Sequence, residues 1–81
     1  MVISERQFDL LCGRYCLSPT QRKLVGEMLN GRVEDRDLVP VVGIRPTTMQ
    51  VHFYRIFNKM HLRSRAAILY TFVAEAKSIS P

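Results

Sequence analysis

The chain has 81 residues, 47% apolar and 23% charged, with a net charge of +5. That length accommodates one domain with a small core, and the composition excludes a disordered tail. No uncharged run approaches the ~20 residues of a membrane span, and two cysteines are too few for a disulfide framework. The first residues, Met-Val-Ile-Ser-Glu-Arg, have no basic region followed by a long apolar run. No secretory signal is therefore expected, and a cytoplasmic location is.

The punctuation of the chain predicts five helices. Ser4 and Gln7 have the form of a capping box, and Phe8, Leu11, Cys12 and Tyr15 follow at helical spacing. They predict a first helix over 5–15, weakened by Gly13. Ser18-Pro19-Thr20-Gln21 is a stronger start: an N-cap serine, a proline at the first helical position and a glutamine at the third. Leu24, Val25, Met28 and Leu29 form the apolar stripe of this second helix, which Gly31 is placed to end. The polar stretch Arg32 to Asp37 is expected to be a loop. Asp37 then caps a short helix from Leu38 to Val42, where Pro40 is tolerable because it falls in the first turn. Gly43 ends that helix.

A longer helix covers 47–60. At ~100° per residue, Met49, Phe53, Ile56 and Met60 lie on one side and predict its buried face. The opposite side holds Thr47, Gln50, Val51, Tyr54, Arg55 and Asn58. These side chains include hydrogen-bonding ends and a guanidinium but no acid, a set suited to base edges and phosphates in a major groove. Ser64 is placed to cap a last helix, 65–77, whose apolar set is Ile68, Leu69, Phe72 and Val73. The expected core is Leu24, Val25, Met28, Leu29, Leu38, Val42, Met49, Phe53, Ile56, Met60, Leu62 and Leu69. The short helix, tight turn and longer helix together make a helix-turn-helix. The predicted fold is thus all-α: a small helix-turn-helix bundle of four helices over 17–77, with an extra N-terminal helix in 1–16.

Charge is unevenly placed. Residues 1–44 are balanced, and the whole excess sits in 45–65: Arg45, Arg55, Lys59, Arg63 and Arg65, with His52 and His61 alongside. No acid occurs between Asp37 and Glu75. Such a block inside a balanced chain is the footprint of a polyanion partner.

At this point the residues resemble a known family. Leu17-Ser18-Pro19, Gly31, Gly43-Ile44, Thr48-Met49-Gln50-Val51-His52, Ile56, Lys59-Met60 and Leu62-Arg63-Ser64-Arg65 are similar, in order, to the LuxR/GerE-type DNA-binding domain. That domain also forms the C-terminal part of many response regulators. The resemblance covers about residues 17–73. It implies that the third of the family's four helices enters the major groove of double-stranded DNA and that the last often mediates dimerisation. It also implies base contacts from Gln50, Val51 and Tyr54, and phosphate contacts from Thr47, Thr48, Lys59, Arg63 and Arg65. The outward position of Arg55 and Asn58 adds these two to the expected phosphate set. The chain departs from the family pattern at Pro40, Gln50 and Arg55, where the family prefers Ala, Lys and Asn.

Other chemistry is weakly signalled. Cys12 and Cys16, four apart, would share a helix face. No ligand spacing joins them to His52 or His61, so buried or half-buried thiols are expected and neither a metal nor a cofactor is. His52 is expected to pack against the fold, hydrogen-bonded to backbone or phosphate. No phosphate loop, paired carboxylates or nucleophile–base set is present, so no enzyme activity is expected. The expected function is a sequence-specific DNA-binding transcription regulator. The alternative is a protein-interaction module of the same fold that pairs with a full-length LuxR-type regulator. Phe8, Leu11, Tyr15, Tyr70, Phe72 and Val73 all need cover, which predicts a homodimer through the terminal helices. The competing arrangement folds the first helix over the last within one chain.

Overall fold

Capping chemistry sets where the helices of this protein begin. In the computed structural model, which describes residues 1–81, the chain forms α1 (Glu5–Arg14), α2 (Pro19–Leu29), α3 (Asp35–Val42), α4 (Pro46–Met60) and α5 (Arg65–Ala76), with no strand. The Ser4 hydroxyl accepts from the Gln7 N–H while the Gln7 side chain accepts from the Ser4 N–H, and Ser18 and Gln21 repeat this reciprocal box on α2. Each box satisfies donors that the helix itself leaves unpaired. Ser64 caps α5 through the Ala67 N–H. No helix is long and apolar enough to cross a membrane.

Four boundaries differ from expectation: α4 starts at Pro46 and α5 ends at Ala76, each one residue early, and two others carry consequences. The stretch expected as a loop contains the start of α3, three residues before Leu38, with Glu34 as an N-cap that makes no side-chain hydrogen bond. Asp37 therefore lies in the first turn instead of capping it, where its charge still favours the helix N-terminus. Pro40 falls in the second turn, beyond the positions where a proline is harmless. Second, α1 closes at Arg14, and Cys16 adopts a left-handed backbone with φ of 55°. Cys12 is consequently buried and Cys16 exposed, so the two thiols share neither a face nor an environment.

One core joins all five helices. It contains the expected Leu24, Val25, Met28, Leu29, Leu38, Met49, Phe53, Ile56 and Met60. Val42, Leu62 and Leu69 only flank it half-buried, while Leu11, Cys12, Leu17, Ile68, Phe72 and Ala76 lie inside it. The burial of Leu11, Cys12, Ile68, Phe72 and Ala76 has one cause: α1 packs along α5 and covers its inner face. The Phe72 ring meets Phe8 and Tyr15 with centroids 6.0 and 6.3 Å apart. Polar groups fasten the same seam. Gln7 Nε2 donates to the carbonyls of Ala76 and Ile79, and Arg14 and the Tyr15 hydroxyl both bind the Glu75 carboxylate. Most of the apolar surface that suggested a dimer is thus covered within one chain, and Tyr70, 76% exposed, is left outside.

Candidate nucleic-acid interface

A tight turn aims α4. Gly43 ends α3 with φ of 76°, a left-handed conformation that glycine adopts without strain, and donates its N–H to the Val39 carbonyl. Ile44 and Arg45 complete the connection, and Pro46 opens α4 at the first helical position. Met49, Phe53, Ile56 and Met60 bury one side of α4, as their spacing predicts. Fifteen residues at ~1.5 Å each give a rod of about 22 Å, with its other side facing solvent.

That side carries the expected recognition set. Thr47, Thr48, Gln50, Val51, Tyr54, Arg55, Asn58 and Lys59 are exposed, Val51 by 48% and Tyr54 by 66%. Arg63 is exposed in the connection to α5. No intramolecular hydrogen bond or ion pair engages the side chains of Thr47, Thr48, Gln50, Tyr54, Arg55, Asn58 or Arg63. Arg45 at the α4 N-cap is likewise exposed and unpaired. The charge block contained it, but no helical face drew attention to it.

Two of the expected phosphate ligands are engaged inside the fold. Lys59 donates to the Cys16 carbonyl at 2.8 Å and to Gln21 Oε1 at 2.7 Å, tying α4 to the α1–α2 turn. Gln21 is the one buried polar side chain, and its amide oxygen serves both this bond and the α2 cap. Arg65 is half-buried: its guanidinium lies 2.5 Å from Asp35, donates to the Val33 carbonyl at 2.7 Å and stacks 4.0 Å above the Phe53 ring. It clamps the α3 start and α4 to α5. His52 is half-buried too, as expected; of the two partners expected for it, backbone or phosphate, the fold supplies no backbone one to its Nδ1.

The ion pairs explain where the net charge remains. Asp9, Glu27, Asp35 and Glu75 neutralise Arg22, Arg32, Arg65 and Arg14. The unpaired acids, Glu5, Glu34 and Asp37, lie in α1 and at the start of α3. None lies on α4 or in the connection after it, where Arg45, Arg55, Lys59 and Arg63 keep their charge free of any carboxylate. The surface carries no pocket. No protein-family model, curated protein or solved structure matches the chain.

Proposed function

We propose that this protein is a sequence-specific DNA-binding transcription regulator that reads the major groove with α4. One observation carries the proposal: the outward face of α4 is exposed, free of acids and almost free of internal bonds, and four of the molecule's eight unpaired cations, Arg45, Arg55, Lys59 and Arg63, lie on or beside it with no acid among them. A groove about 12 Å wide admits one helix, whose outward polar and apolar side chains can meet base edges while cations beside it hold phosphates. The resemblance to LuxR/GerE-type domains supports the same role for the same residues. Gln50, Val51 and Tyr54 are the proposed base readers. Thr47, Thr48, Arg55, Asn58 and Arg63 are the proposed phosphate ligands, with Lys59 contributing the ammonium hydrogen left over from its internal bonds. Self-association around the exposed Tyr70 of α5 belongs to the same proposal, and light scattering tests it.

The direct test is a fluorescence titration with duplex DNA at several salt concentrations. Affinity should fall with salt with a slope of about −0.9 per phosphate contact, and Arg63→Ala should lower that slope by about one unit for every sequence alike. Tyr54 and Val51 also favour a second reading, because a tyrosine and an aliphatic side chain this exposed suit a protein interface. Binding to a full-length LuxR-type regulator, with no salt-sensitive binding to any duplex, would decide for that reading.

A further inference from the structure

Resting on the DNA-binding reading, we propose that α4 selects adenine–thymine pairs, with Gln50 taking an adenine and Val51 a thymine methyl. From Pro46 to Tyr54 the helix carries no lysine or arginine. This N-terminal half is the part of a recognition helix that meets base edges. The fork that most often reads guanine, an Arg or Lys on O6 and N7, is therefore missing where the bases are met. Beside the Thr47 and Thr48 hydroxyls, which the proposed function gives to phosphates, what remains outward there is one free amide, Gln50, next to an apolar strip made by Val51 and Tyr54 at i, i+3 spacing. The Gln50 amide has no bond within the fold, so its N–H can donate to adenine N7 while its oxygen accepts from adenine N6. Val51, half-exposed and one residue on, presents methyl groups, which gain by contact with the C5-methyl of thymine and with no other base edge.

The cations stand at the margins. Arg45 precedes the helix, Arg55 follows the reading segment on its rim, and Arg63 lies beyond its end. They hold the backbone on either side of a neutral reader. From Thr47 to Tyr54 the helix rises about 10 Å, so one copy covers roughly three base pairs.

The experiment enriches a randomised duplex pool on the whole protein, then measures affinity for the enriched duplex and for copies carrying 7-deazaadenine or deoxyuracil at single positions. The expected site contains an adenine whose 7-deaza form binds about 5- to 150-fold more weakly, and a thymine whose uracil form also binds more weakly. Gln50→Ala should abolish the first discrimination and Val51→Ala the second. Both side chains are exposed, so the variants should keep the wild-type melting curve. Gln50→Lys should shift the enriched base at that position to guanine. Enrichment of guanine by the wild type, or salt-sensitive binding without any sequence enrichment, overturns this inference and leaves the DNA-binding reading standing. Absence of salt-sensitive binding to every duplex overturns both.

Discussion

Gly43 and His61 bracket α4 with the same left-handed backbone but different side chains. Gly43 has open space around it, with nothing within 4 Å of an added Cβ, so Gly43→Ala would meet backbone strain alone. The expected cost is about 1–2 kcal/mol. His61, at φ of 57°, already bears that strain as the C-cap of α4, and His61→Gly should return about 1 kcal/mol. Urea unfolding of the two variants should show shifts of opposite sign. Arg65 offers a third test. Its contacts with Asp35, Val33 and Phe53 make it a clamp, so Arg65→Ala should lower stability by about 1–3 kcal/mol in the absence of DNA. Arg63→Ala, which breaks no such contact, should leave the unfolding midpoint unchanged. Equal midpoints for both variants would remove the clamp role.

Among the elements, α3 is the least comfortable. Pro40 in its second turn removes a bond to the Arg36 carbonyl and presses its ring on that group. Pro40→Ala should stabilise by about 2 kcal/mol, the ~3 kcal/mol helix penalty less up to ~1 kcal/mol returned by the stiffer unfolded chain. Thermal melts of the pair measure the difference. The start of α3 was illegible for a related reason. Glu34 caps it without a side-chain bond, so no local signature marks the boundary, whereas the reciprocal boxes at Ser4 and Ser18 announce α1 and α2 openly. The face of α4 was legible because period alone separates Met49 and Phe53 from Gln50 and Tyr54. The partners of Lys59 and Arg65 were not, since Gln21 and Asp35 are distant in sequence and meet them only after packing. Periodicity also offered no choice between α1 covering α5 in its own chain and pairing with another copy. The bonds of Gln7, Arg14 and Tyr15 to the end of α5 show the seam made within one chain.

At the scale of the whole molecule, α1 makes folding sensitive to alkali. Burial pushes the Cys12 thiol up to about 11 from an ordinary 9.0. Burial first, then the hydrogen bond and charge of Glu75, pushes the Tyr15 phenol up to about 12 from 10.0. Both groups keep their protons in the folded state at pH values where the unfolded chain has released them. Their contribution is complete below about pH 9 and is lost as pH rises from there through about 12. The urea midpoint should therefore decline from pH 9 upwards. Tyr15→Phe should remove the decline between about pH 11 and 12 and make the fall from pH 10 to 11 shallower, leaving the share of Cys12, and a midpoint unchanged between pH 9 and 11 would contradict the burial of both groups.

The amide of Gln7 has a topological consequence. It bonds the start of the first helix to the carbonyls of Ala76 and Ile79, so the path of the chain is almost a ring. Between α2 and α3 that ring passes through the exposed turn at Gly31 and Arg32, which no core residue occupies. A circular permutant that begins at Arg32, ends at Gly31 and joins the old ends through a short glycine–serine linker should keep all five helices in place. It would place α3 and α4 first in the chain and close the core with α2 last. Its circular dichroism spectrum should overlay that of the parent.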